Sequence, residues 1–68
     1  MSSKTYKKIE IVGTSDKSFS KAVANGIEKA GSSVKHMDWF EVTEQRGRID
    51  GGQVVEYQVT LKIGFRIE

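Results

Sequence analysis

The run Val55-Glu56-Tyr57-Gln58-Val59-Thr60-Leu61-Lys62-Ile63-Gly64-Phe65-Arg66-Ile67 decides the fold. Its odd positions are all apolar, and its even positions are polar, charged or small. Successive side chains of a strand point to opposite faces, so this is a long strand with one face for a core and one for the outside. Just before it, Asp50-Gly51-Gly52 is a hairpin signal, because glycine adopts the positive φ that a tight two-residue turn needs. A second strand therefore runs antiparallel to the first, from about Asp38 to Ile49.

A two-residue loop at Gly51-Gly52 sets the register of this hairpin. Trp39 falls opposite Gly64, Glu41 opposite Lys62, Thr43 opposite Thr60 and Gln45 opposite Gln58. On the inner face Phe40 meets Ile63 and Val42 meets Leu61. Each pair is chemically sensible, and a slip of one would turn the apolar set into water. Arg46 has the parity of Phe40 and Val42, which sends it inward on a flat strand; curvature or a bulge would free it.

Upstream, Tyr6 to Val12 alternates as a strand, with Ile9 and Ile11 on one side and Lys8 and Glu10 on the other. Gly13-Thr14-Ser15-Asp16 reads as the turn that ends it. Ser18 is the N-cap candidate, with Ser15 as competitor. Phe19, Ala22, Val23, Gly26, Ile27, Ala30, Val34 and Met37 follow three-four spacing, which predicts an amphipathic helix of about 17 residues. Gly26 lies on its apolar stripe, where glycine costs roughly 1 kcal/mol against alanine and implies close approach to the sheet. Lys35 and His36 would then favour the helix dipole. The order strand, helix, strand, strand predicts an α+β fold: a three-stranded antiparallel sheet curled around one helix, as a single domain over residues 1–68.

A chain of 68 residues buries only about 60% of the surface that its unfolded form exposes. Small folds compensate with disulfides, metals or oligomerisation. With no cysteine and one histidine, thiolate and histidine-cluster metal sites are excluded, which leaves self-association. Eleven Lys/Arg against nine Asp/Glu is too balanced to argue for nucleic acid. Nothing resembles a signal peptide or a membrane span, so a cytoplasmic location is expected.

Trp39, the only tryptophan, is therefore placed on the polar outer face, beside a bare glycine and with glutamines further along. An indole there needs an apolar cover. A subunit contact supplies one; a planar heterocycle is the other candidate, stacked on the indole with amides at its pyrimidine-like edge. Gly13-Thr14-Ser15-Asp16-Lys17-Ser18 lacks the glycine spacing and Gly-Lys-Ser/Thr order of a phosphate loop. His36 has no nucleophile motif beside it, and Glu10, Glu41 and Glu44 suit surface pairing better than a metal. No catalytic constellation can be assembled, so an enzyme is not expected.

Four segments taken together resemble the dodecins, a family of small flavin-binding proteins. They are Tyr6 to Ser15, Asp38-Trp39-Phe40-Glu41-Val42, Glu44-Gln45-Arg46-Gly47 and Tyr57 to Arg66, spanning almost the whole chain. The resemblance implies a β-α-β-β fold and a homododecameric shell holding flavins in pairs at two-fold contacts. It implies that Trp39 stacks on the isoalloxazine and that Gln58 hydrogen-bonds its pyrimidine edge, with Arg46 and Arg66 near the flavin tail. FMN is the implied cofactor, with riboflavin or FAD as alternatives. Coenzyme A on Lys4, Lys7, Lys29 and Lys35 is a further implication. The implied function is flavin storage and quenching of flavin photochemistry. The competing expectation is an oligomeric scaffold or nucleic-acid module without flavin.

Overall fold

The computed structural model describes residues 3–68. Strand β1 (Thr5–Ser15) leads into helix α1 (Phe19–Gly31), and strands β2 (Met37–Asp50) and β3 (Gln53–Ile67) form the hairpin. The sheet is antiparallel with order β1-β3-β2, so the long alternating strand is central. Val59, Leu61 and Ile63 of β3 are buried with Ala22 of the helix, and Ile11, Val23 and Ile27 pack against this cluster. The α+β architecture expected from the periodicity is the one observed.

Several boundaries differ from those expected. β1 continues through Gly13 to Ser15, so the turn is confined to the residues before Phe19. Buried Ser15 ends the strand and accepts hydrogen bonds through Oγ from the backbone N–H of Lys17, at 2.9 Å, and of Ser18. Ser18 is the N-cap, its Oγ accepting from the Lys21 N–H at 3.0 Å. Both serines considered for the cap are thus used, in series.

The helix stops at Gly31, well short of the predicted end. Gly31-Ser32-Ser33 explains this: serine side chains offer the backbone local bonds that compete with helix. Ser32 Oγ donates to the Lys29 carbonyl at 2.7 Å, and Ser32, Ser33 and Val34 N–H groups close the end onto Lys29 and Ala30. Val34 and Met37 continued the apolar spacing without continuing the helix. Lys35 and His36 lie outside it, and Lys29 is the basic residue of its last turn. His36 has φ 64°, and its carbonyl accepts from the Arg66 N–H.

The hairpin register matches expectation at both ends and departs from it in the middle. Asp50 pairs with Gln53 and Ile49 with Val54, around Gly51 and Gly52 with φ of 60° and 77°, the left-handed pair of a type I′ turn. Far from the turn, Trp39 pairs with Gly64, Phe40 with Ile63, Glu41 with Lys62 and Val42 with Leu61. Between them, one irregularity makes Val55 an extra residue on β3, and another makes Thr43 an extra residue on β2. The two cancel. Glu44 therefore faces Thr60, Gln45 faces Val59, and Arg46 faces Gln58. The expected threonine and glutamine pairs do not form, because a bulge sets two residues against one and reverses the parity that follows. A further irregularity separates Met37 and Trp39.

The helix buries Ala22, Gly26 and Ala30 against the sheet, and β1 and β3 lie beneath it. β2 is left open: Phe40 and Val42, although on the core side, stay 48% and 43% exposed. Ile49 and Val54 near the hairpin tip are more exposed still. Among the described residues, no helix is long and apolar enough to cross a membrane.

Helix and β1 meet backbone to backbone. A Cβ on Gly13 would overlap the Ala22 carbonyl, whereas one on Gly26 would sit 3.2 Å from the Gly13 Cα. Gly13→Ala is expected to cost about 1–3 kcal/mol by overpacking against rigid backbone. Gly26→Ala should cost less, because alanine's better helix propensity offsets part of the crowding. Thermal unfolding of the two variants side by side checks that ranking.

Candidate ligand-binding site

The outer face of the sheet carries two separate constellations. The first is aromatic. The six-membered ring of the Trp39 indole lies over Gly64, where any Cβ would overlap it. Tyr6, the neighbour of Arg66 on β1, meets the indole edge-on at 4.9 Å between ring centroids and 66° between planes. Lys8 lies across from Gly64 and reaches Glu41, Nζ to Oε1 2.6 Å. The indole is thus seated on backbone, propped by a tyrosine and flanked by an ion pair, and still 40% exposed. A flat apolar surface held in this way is suited to stacking.

The Lys8–Glu41 pair also sets the local electrostatics. The hydrogen bond from Lys8, followed by its charge, holds the Glu41 carboxyl below the usual carboxylate value, with a smaller pull from Lys62.

The second constellation is polar. Arg46 Nε donates to Gln58 Oε1 at 2.7 Å, and Gln58 Nε2 donates to Glu56 Oε1 at 2.8 Å. Arg48, the cross-strand neighbour of Glu56, has its Nε 3.8 Å from the same carboxylate oxygen. The bulge at Thr43 builds this group, since without it Arg46 would point to the core side. The inward placement expected for Arg46 on a flat strand is therefore corrected.

These two constellations are six residues apart on β3. At a rise of about 3.3 Å per residue they are separated by roughly 20 Å, more than a single tricyclic ring spans. Arg66 belongs to the aromatic end. Its Nη2 lies 3.1 Å from Glu68 Oε2, which is also 3.2 Å from His36 Nε2. Beside it, Lys4, Tyr6, His36, Met37, Asp38 and Arg66 line an open recess of about 320 Å3. Trp39 and Arg66 share Tyr6 as a neighbour, and Gln58 and Arg46 are hydrogen-bonded, but one chain does not join the two pairs.

The four lysines considered for coenzyme A are dispersed. Lys7 and Lys35 share a recess with Phe65 and Ile67. Lys4 lines the recess at Arg66, and Lys29 lines another with Val12 and Asn25. Among the described residues, no group of three or more His, Cys, Asp or Glu side chains is placed to hold a metal ion. Sequence reasoning overlooked Tyr6 and Glu56 as parts of the site. The signal for both was parity: Tyr6 shares its face with Lys8 and Glu10, and Glu56 shares its face with Gln58.

Residues 5–68 match the family model described as Dodecin. The chain belongs to the dodecin family. It is 48% identical over 65 residues to the dodecin of Thermus thermophilus, covering 96% of this chain and 94% of that one. It is 32% identical to the calcium dodecin of Mycobacterium tuberculosis over 62 residues, 91% of this chain and 87% of that one. The solved dodecin from Streptomyces davaonensis superposes with a TM-score of 0.95 at 45% identity, covering 98% of both chains. The dodecin fold is thus present from β1 through β3.

Because Glu41's carboxyl is lowered in the folded protein, its pairing stabilises the fold above the unfolded carboxylate value. That contribution is lost as pH falls through the folded value. Glu41→Gln is therefore expected to lower the unfolding midpoint at neutral pH and to have no effect in strong acid. Thermal denaturation across that pH range measures it.

Proposed function

We propose that the chain is a flavin-binding storage and sequestration protein that holds FMN at contacts between subunits of a homododecamer. The observation that carries this reading is the Trp39 indole, seated over Gly64 and propped by Tyr6 on the outer face with its free surface exposed. Stacking there supplies affinity, and the electron-rich indole quenches the excited ring by electron transfer. Family membership supports the same reading.

The separation of the two constellations gives the site its composite character. The indole of one subunit forms the face, and Gln58 of a neighbour supplies the pyrimidine edge. The part-exposed Phe40, Val42, Ile49 and Val54 favour assembly, each gaining a fraction of the roughly 1.5–3 kcal/mol that full burial of such a side chain is worth. Arg66, in its recess beside Tyr6, meets the phosphate of FMN. Lys7 and Lys35 form the basic recess for a second phosphate-bearing ligand such as coenzyme A. No bond is made or broken in this function, which suits a cytoplasmic store.

FMN fluorescence should be quenched on titration and saturate at one flavin per subunit. Trp39→Ala should abolish the quenching and weaken binding by at least about tenfold, consistent with loss of a stacking partner; unchanged quenching would overturn the reading. Arg66→Ala should weaken FMN and leave riboflavin unaffected. Equal weakening of both would remove the phosphate role from Arg66.

A further inference from the structure

The orientation of the Gln58 amide is fixed by chemistry as well as by geometry. Arg46 Nε carries a hydrogen and no free lone pair, so the amide atom 2.7 Å away must be the oxygen. The Glu56 carboxylate only accepts when ionised, so the amide atom 2.8 Å from it must be the nitrogen. A flipped amide would set N–H against guanidinium and oxygen against carboxylate, losing both bonds and placing like against like.

The clamp is a block of four residues. Glu56 and Gln58 share a face of β3, and Arg48 and Arg46 are their partners on β2. Both cross-strand pairings lie in the stretch shifted by the compensating bulges. These contacts use one lone pair and one N–H of the Gln58 amide and leave one of each. An amide's remaining donor and acceptor together complement a ring that offers an N–H next to a carbonyl.

A flavin offers such an edge twice. Its N3–H lies between the C2 and C4 carbonyls, so either amide flip can be met by turning the ring over. The two choices are not equivalent. The C2 carbonyl is on the side of the ring that bears the ribityl chain, and the C4 carbonyl is on the opposite side. Choosing the carbonyl therefore chooses the side from which the tail leaves.

We propose that Glu56 is a positioning residue: together with Arg46 it fixes the flip of the Gln58 amide and thereby selects which ring carbonyl, and which tail direction, a bound flavin adopts. This rests on the flavin reading of Gln58 given above. Glu56 itself touches no ligand in this scheme and acts through Gln58.

The test is isotope-edited infrared spectroscopy of protein-bound FMN carrying carbon-13 at C2 or at C4. In the wild-type protein each labelled carbonyl gives a single band. Glu56→Gln keeps the side-chain length but can donate as well as accept, so of the two one-way partners only the exposed Arg46 still opposes the flipped amide. It is expected to give each band a second component and to weaken FMN and riboflavin alike, by roughly three- to tenfold. Size-exclusion elution identical to wild type shows that assembly is retained. In a Gln58→Ala background, Glu56→Gln should leave the band pattern unchanged. Unsplit bands in Glu56→Gln, or splitting that persists without Gln58, would overturn the positioning role while leaving flavin binding intact. Failure of the wild-type protein to bind FMN would overturn the flavin reading, and this inference with it.

Discussion

The constraint on which the structure depends is a mismatch of length between helix and sheet. The 13-residue helix is about 20 Å long, whereas the 15 residues of β3 extend over about 50 Å. The helix lies over β1 and the middle of β3, and it leaves β2 and the hairpin tip uncovered. A core built on Ala22, Val59, Leu61 and Ile63 is therefore small, as expected for 68 residues. Apolar side chains with the right parity for a core, such as Phe40 and Val42, remain at the surface for want of anything opposite them. The same mismatch turns a long, twisted hairpin into an arm whose two faces are available to other molecules.

On the outer face of that arm, glycine and bulges do the positioning. Gly64 provides the flat floor on which the indole rests, and Tyr6 holds its edge. Further along, the extra residue at Thr43 turns Arg46 outward onto Gln58, and the extra residue at Val55 restores the register before the turn. The sheet thereby keeps a continuous core side while displaying an aromatic group and a polar group about 20 Å apart. That spacing exceeds the span of one tricyclic ring, so the two groups of one chain do not meet on a single ring of that size.

Much of this was legible in the residue pattern. The alternation of Val55 to Ile67 identifies the central strand, and the Asp50-Gly51-Gly52 turn fixes its partner. Trp39 over Gly64 follows from counting back from that turn. Gly26 as a point of close approach follows from its place on the apolar stripe. What misled was equally specific. Val34 and Met37 extended the three-four spacing past a helix that Gly31, Ser32 and Ser33 had already ended. Gly13, Thr14 and Ser15 look like turn residues by composition, yet they are strand, because Gly13 lets the helix come close and Ser15 caps the following turn.

The sequence alone determined the order of elements, the faces of β3 and the two ends of the hairpin register. Those features depend on period and on turn chemistry, which act over a few residues. Only the tertiary structure decided where Arg46 points, which residues clamp Gln58, and how far that clamp lies from Trp39. A bulge changes side-chain parity without leaving a mark in composition, since Thr43 and Val55 are ordinary strand residues. Their extra place in the ladder is set by the balance of twist and packing across all three strands, and that balance exists only once the sheet has formed.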